Sequence, residues 1–575
     1  MCGIVFVLAV AILPAVGFPT ETPRATVAEP ESPAEVWSGS QGETCARFEK
    51  WAYGWLEVDV ARTGAYEIVT CELFDRGKNA PAIVRGAGLM TLRTKGWFEH
   101  TGWTRIPVPQ HGWWKPDSKN IPHLPPELEG SGTAPMKFVQ VKAAPFAVDG
   151  KSLRRMTLRY PFDPKESYFH SSSPELDRVY EFCKYTILAD TFLGVYIDGE
   201  RERTPYEADS YITQLSNYAI SSDYSLARKT IRFVRRHGTW PTEWAQHFIR
   251  LVHADWMYTG ETNLVSEYWT ALQSLYLKEA HLKESGFVET RRWNEKRGQY
   301  ETPDIVDWPK CYRYDFDYTN ANAVVNAFLY RNYREMAELG AAIGLDKQAA
   351  QYAQKADRFL DHYNRAMFDA SRGLYVDGLG SQHSSLHANA ISVALGLCEG
   401  ERAASIAKWL KSLGMRCGTY FSQYLLEALF NAGAADAAIE LMTSRGENSW
   451  LGMIEQGADA TLETWRLTSE GGPDMSHAWS TAPLNVITRK LLGVTPLKPG
   501  FEEISVAPQL GSLKFVDARV PTKKGPLLLR IEVNRRVWKV RLTAPAPVRF
   551  SACGEVRSLP GGTSTFKIEE QTRFE

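Results

Sequence analysis

The densest run of ionisable side chains is Asp198-Gly-Glu-Arg-Glu-Arg-Thr-Pro-Tyr-Glu-Ala-Asp209, with three Glu, two Asp and two Arg in twelve residues. Most such runs are solvated loops. Here Tyr196 and Ile197 lead in and Tyr211 and Ile212 follow, so the run is flanked by core-like residues. Carboxylates held in such a place suit acid/base chemistry. Thr204-Pro205-Tyr206-Glu207 has the form of a capping box, with Thr204 as N-cap and Pro205 at the first helical position, which makes Glu207 structural. Asp209 then falls in the first turns of a helix, while Asp198, Glu200 and Glu202 lie on the loop entering it. Glu200 and Glu202 are two apart and point the same way in an extended loop, so spacing does not choose between them.

A second acidic segment, Gly457-Ala-Asp-Ala-Thr-Leu-Glu463-Thr-Trp465, lies far downstream. A carboxylate between small residues and a Trp suggests a lined pocket. Paired with a carboxyl of the first segment, Glu463 supplies what hydrolysis of a glycosidic bond requires: a protonated acid for the leaving oxygen and an ionised one to activate water. The structural alternative places both acids in ion pairs.

Positioning these segments falls to their surroundings. From Ser173 to about Gly493 the chain reads as helix after helix, interrupted by an irregular stretch from Gly286 to Tyr318. Twelve helical stretches begin near Pro174, Tyr206, Tyr224, Pro241, Leu264, Ala321, Asp346, Ser385, Arg402, Thr419, Ala434 and His477. In the sixth, Val324, Val325, Phe328, Leu329, Met336 and Ala337 share one face. Twelve helices make six hairpins, so the spacing predicts a mainly α chain with an (α/α)6 barrel, in which the first and last hairpins are neighbours. That adjacency lets Glu463 face the Asp198 to Asp209 loop. Alternating, turn-broken runs before and after the helices predict an N-terminal and a C-terminal β-sandwich. The expected divisions are 1–17 signal peptide, 18–43 flexible spacer, 44–165 first sandwich, 166–495 barrel and 496–575 second sandwich. A Pro-rich loop from Pro107 to Pro135 carries Trp113 and Trp114, which could reach a neighbouring domain.

The 66 basic and 67 acidic side chains cancel to a net charge of −1. No long-range field is left to draw nucleic acid or an anionic membrane. A neutral partner fits better, and the 18 Trp offer faces on which sugar rings stack. The apolar run from Ile4 to Val16, with Ala15 and Gly17 at cleavage positions, reads as a secretory signal, hence a secreted or periplasmic location. No later segment is long and apolar enough to span a membrane. The eight cysteines show no metal-site spacing. No nucleotide-binding glycine loop, nucleophile elbow or HExxH helix occurs, so no organic cofactor or catalytic metal is implied, and a structural calcium is compatible with the sequence.

The Asp198 to Asp209 run resembles the acidic signature of glycoside hydrolase family 78, the α-L-rhamnosidases, through its Arg201-Glu202-Arg203 core. Asp307-Trp308, Asn322 to Phe328, His383 to Asn389, Ala460 to Trp465 and His477 to Pro483 follow in the family's order. The resemblance implies an inverting enzyme that releases terminal α-L-rhamnose from glycosides or polysaccharides. It implies Glu202 as general acid, Glu463 as general base, Asp198 and Asp209 on rhamnose hydroxyls, and Trp308, Trp465 and His477 lining the sugar pocket. Arg201 and Arg203 are then expected to point away from the acid. The chain departs from the family pattern in having one residue fewer between Asp198 and Glu202, and Thr204 to Ala208 where a Gly-Trp-x-Gly stretch is usual. Two other readings share these residues: a six-hairpin glycosidase acting on glucose, fucose or uronic acid, and a sugar-binding homologue without catalysis.

Overall fold

Side chains at the helix starts set where several of the helices begin. Ser173, Asn322, Ser385 and Ser449 accept hydrogen bonds from the N–H groups of Leu176, Val325, Ala388 and Gly452, satisfying donors that a helix leaves open at its start. Pro174 occupies a first position where no N–H is needed. A computed structural model of the chain describes residues 23–84, 88–109, 122–130, 132–238, 242–468 and 473–569. Its helices Pro174–Ala189, Glu207–Ile220, Ser225–His237, Glu243–Thr259, Asn263–Ala271, Ala323–Ala342, Asp346–Met367, Leu386–Ala394, Gly400–Leu413, Ser422–Asn431, Ala435–Met442 and Ala482–Val486 match the twelve expected stretches one for one. The helix Trp450–Glu455 was not expected, being too short to show a period.

Burial alternates along this series. Glu207–Ile220, Glu243–Thr259, Leu386–Ala394, Ser422–Asn431 and Ala482–Val486 are buried almost all round, and Ala323–Ala342 nearly so. Ser225–His237, Asp346–Met367 and Gly400–Leu413 bury a single stripe. Each of the six buried helices packs on the next, and Ala482–Val486 returns to Glu207–Ile220. Closure brings the loop before the second helix beside the segment before the last. Gly199 and His477 form an antiparallel bridge, and the Ala478 N–H donates to the Asp198 carbonyl at 3.2 Å.

A sheet domain precedes the helices. Its long strand Thr44–Val60 pairs with Leu153–Arg159 on one side and Ala134–Ala143 on the other, followed outward by Gly64–Cys71 and Thr91–Phe98. Within the expected flexible spacer 18–43, the described residues, from 23 on, carry two strands rather than a free linker. Val27–Glu31 pairs with Leu153–Arg159 and Glu35–Ser38 with Thr44–Val60. The buried Arg155 holds the first of these strands through an ion pair of 2.7 Å to Glu31, so the polar composition that suggests a spacer instead satisfies the sheet. The signal segment 1–17, and Trp113 and Trp114, lie outside the described residues.

The C-terminal domain has a four-stranded sheet beside a five-stranded one, with Phe550 and Phe566 in edge contact at 5.1 Å. Tyr168–Ser171, expected within the helical unit, is an edge strand of the five-stranded sheet, paired with Phe515–Val520. Among the described residues no helix is long and apolar enough to cross a membrane.

Candidate active site

A cavity of about 780 Å³ opens where the first and last buried helices meet. Asp198, Arg201, Glu202, Tyr206, Asp209, Glu463 and His477 line its inner end, with Trp244, Trp308 and Trp479 as aromatic wall. The outer end is formed by the stretch 291–318, including the hairpin of Arg292–Asn294 and Gln299–Glu301 and the turn Lys310–Arg313.

The loop between Asp198 and the helix folds back on itself. The Thr204 N–H donates to Asp198 Oδ1 at 2.8 Å and the Asp198 N–H to the Thr204 carbonyl at 3.1 Å. Between these contacts the chain turns at residues 200–202, and Arg203 takes a left-handed φ of 52°. The turn separates two carboxylates that an extended loop would align. Glu200 goes inward, 3.7 Å from the Arg203 guanidinium, with both side chains buried. Glu202 goes to the cavity. The expected capping box does not form. The helix begins at Glu207 without a side-chain cap, and the Thr204 hydroxyl donates to the Glu202 carbonyl at 3.1 Å instead. Glu207 is buried and does not line the cavity, so its structural role stands for a different reason.

Arg201 was expected to turn away and does not. Its guanidinium lies 3.4 Å from Glu463, 3.6 Å from Asp474 and 4.0 Å from Glu202. Arg203 does turn away, donating to Thr133 Oγ1 and the Thr133 carbonyl, both at 3.2 Å, at the edge of the N-terminal sheet domain. Glu202 is about a quarter exposed and accepts a hydrogen bond from the Tyr206 hydroxyl. Glu463 is buried, which raises its carboxyl above the usual range, while the Arg201 charge and the Asp474 N–H, 3.1 Å from Oε2, pull the other way.

The other predicted site residues fall in two places. Asp198, Asp209, Trp308 and His477 line the cavity. Burial and the neighbouring Glu202 and Asp209 hold the Asp198 carboxyl well above the usual range. Asp209 is raised by burial to about 7 and receives the Trp244 indole N–H at 3.2 Å. Its Oδ1 has no hydrogen-bond partner among the described residues, nor has His477 Nδ1. Burial, with Arg201 adding to it, keeps His477 neutral. Trp308 is fixed through its neighbour Asp307, whose Oδ2 takes His387 Nε2 at 2.9 Å and the Gly418 N–H at 2.6 Å.

Trp465 is corrected. It is fully buried outside the cavity, its indole N–H donating to the Cys417 carbonyl at 2.7 Å and its ring edge-on to Trp450 at 4.9 Å. Trp479, its ring tilted by 32° against His477 with centroids 4.1 Å apart, is the wall residue of that region. Sequence reasoning also missed Tyr206, Trp244 and Asp474 as parts of the site. Tyr206 and Trp479 stand inside segments already singled out. For Asp474, whose Oδ2 accepts the Arg201 N–H at 3.0 Å, no spacing signal points to the role.

Paired carboxylates in an aromatic-walled pocket, on loops of a closed helical series between two sheet domains, are the groups that hydrolysis of a glycosidic bond uses. The family model described as bacterial alpha-L-rhamnosidase 6 hairpin glycosidase domain matches residues 164–491, and that of the bacterial alpha-L-rhamnosidase C-terminal domain matches 493–553. The chain belongs to the bacterial α-L-rhamnosidases, glycoside hydrolase family 78. A protein of Alteromonas sp. (strain LOR) described as alpha-L-rhamnosidase is 25% identical over 240 residues, which are 40% of this chain and 26% of that one. The fold is similar to the alpha-L-rhamnosidase of Dictyoglumus thermophilum, with a TM-score of 0.76 at 15% identity over 96% of this chain and 64% of that one. It is also similar to the Streptomyces avermitilis alpha-L-rhamnosidase complexed with L-rhamnose, with a TM-score of 0.71 at 13% identity over 94% and 53%. The chain thus spans about a quarter of the curated relative and roughly half to two thirds of these two structures.

Proposed function

We propose that this chain is an inverting α-L-rhamnosidase that releases terminal rhamnose from glycosides or polysaccharides, acting from a secreted or periplasmic location. The observation that carries the reading is the Arg201 guanidinium in reach of both acids, 4.0 Å from Glu202 and 3.4 Å from Glu463, at the inner end of one cavity. Inversion requires room for a water between acid and base, at a carboxyl separation of roughly 6.5–9.5 Å.

The roles follow from the surroundings. Burial raises the Glu463 carboxyl, and donors from Arg201 and the Asp474 N–H, which reach both its oxygens, offset part of that rise toward the ionised form that a base needs. The greater exposure of Glu202 supports its role as the acid that meets the aglycone oxygen. Arg201 lies closer to Glu463 and Asp474 than to Glu202, so most of its charge is spent on the other two carboxylates. The unpartnered Asp209 Oδ1 and His477 Nδ1 suit sugar hydroxyls, and Trp308 and Trp479 suit the apolar ring face. We also read the closed series of helices as an (α/α)6 barrel. The supporting resemblance to the rhamnose complex lies in the fold.

A panel of nitrophenyl glycosides tests the reading. Release from the α-L-rhamnoside is expected, with Glu202→Gln and Glu463→Gln each lowering kcat by about 10²–10⁴-fold. Release from the glucoside or fucoside alone would overturn the substrate, and unchanged rates in both variants would overturn the catalytic pair.

A further inference from the structure

The inner end of the cavity is acidic, but its outer end is not. Arg291, Arg297, Lys310 and Arg313 line it there, all contributed by the irregular stretch between the helices Asn263–Ala271 and Ala323–Ala342. Two carboxylates stand among them. Glu301 is bound to Arg297 Nη1 and Asn294 Nδ2, each at 2.8 Å, so its charge is already matched. Asp304 is buried and engaged by the Thr290 hydroxyl at 2.5 Å and by Asn322. Arg313 donates Nε to the Asp307 carbonyl at 2.9 Å and lies over the Tyr318 ring, which fixes the guanidinium with most of its donors uncommitted. Lys310 is exposed and has no ion pair among the described residues. Its turn follows directly on Trp308, so these cations adjoin the aromatic wall. A chain whose net charge is −1 has no general excess of cations to scatter there.

At about 780 Å³ the cavity falls in the range that encloses ligands larger than one sugar ring. We propose that the cationic outer end is a subsite for an anionic sugar, a uronate or a sulfated residue, to which the terminal rhamnose is attached. The inference rests on the rhamnosidase reading and adds the charge of the neighbouring residue. The neutral terminal ring meets the acidic inner end, and the carboxylate or sulfate of the next ring meets Lys310 and Arg313.

The test compares kcat/KM on rhamnosyl-glucuronate, rhamnosyl-glucose and a sulfated rhamnosyl-glucose, with nitrophenyl α-L-rhamnoside as reference. The expected result is a preference of about tenfold for at least one anionic substrate over rhamnosyl-glucose, diminishing as salt screens the exposed charges. Lys310→Gln should lower that ratio by about two- to five-fold, Lys310→Glu further, and Lys310→Arg should restore it. Which anionic substrate is preferred separates uronate from sulfate. Equal rates on all three disaccharides, or a ratio untouched by Lys310→Glu, would overturn the anionic subsite while leaving the rhamnosidase reading intact. No release from any rhamnoside would overturn both.

Discussion

Arg201 meets three carboxylates at once, and this contact organises the chemistry of the site. It is buried enough to lose solvation, yet Asp474, Glu463 and Glu202 together hold its charge firmly. A guanidinium offers planar, spread donors that a lysine does not, so even a charge-conserving change here disturbs several acids together. The tryptophans divide by what their N–H groups reach. Trp244 donates to Asp209 at the cavity, whereas Trp465 donates to the Cys417 carbonyl behind it. Replacing Trp465 with Phe leaves that carbonyl unpaired, at about 1–3 kcal/mol of stability. Chemical denaturation should show this loss with KM for a rhamnoside within about twofold of the parent, and a large rise in KM would return Trp465 to the binding wall. The family resemblance singled out Glu202, Glu463, Asp198, Asp209, Trp308 and His477, and all six line one cavity. The resemblance could not give the direction of a side chain, which is why Trp465 and Arg201 were read the wrong way round.

Two segments from opposite ends of the helical series make the inner end of the site, and they bridge tightly at Gly199. A Cβ there would meet the Ser476 carbonyl at 2.7 Å, Asp474 Oδ2 at 2.8 Å and the His477 ring at 3.0 Å. Gly199→Ala must therefore push the two segments apart, moving Asp198 and Glu202 relative to Glu463. A misplacement of about 1 Å at reacting groups costs about 10²-fold in rate. The expected outcome is a fall in kcat of that order with the far-ultraviolet spectrum retained, and full activity would show that the bridge does not set the geometry. The N-terminal sheet domain supports both segments from outside. Arg203 ties one to Thr133, while Lys137 at 2.6 Å and the Trp51 N–H at 2.8 Å tie Asp459 of the other. These ties were illegible in the sequence because they join residues 70 to 408 positions apart. Helix starts were legible because caps and the apolar period are local.

Across the whole molecule, buried carboxyls give stability a definite pH dependence. Burial raises Glu72, Glu200 and Glu243 to about 8 and Asp209 to about 7. Each keeps a proton in the folded chain that the unfolded chain releases above about pH 4. Their contribution is therefore greatest below that point and is lost as pH rises to about 8. Glu427 works in the opposite sense. Despite burial, Arg489, Lys490 and Arg250 draw it down to about 2, so its contribution is present above about pH 4 and lost below. Calorimetry should find a higher melting temperature at pH 5 than at pH 8.5, with Asp209→Asn flattening the part of the slope below about pH 7. A melting temperature that climbs over this range would contradict the burial of these acids. The order of a sheet domain, a helical domain and a second sheet domain was plain from changes in periodicity, whereas the strands Val27–Glu31 and Tyr168–Ser171 were hidden by polar surroundings and by a remote partner. The central claim is that Glu202 and Glu463 act as acid and base on opposite faces of a rhamnoside. Proton NMR of the first sugar released from nitrophenyl α-L-rhamnoside tests it most directly: the account predicts β-L-rhamnose before mutarotation, and α-L-rhamnose as the first product would contradict it.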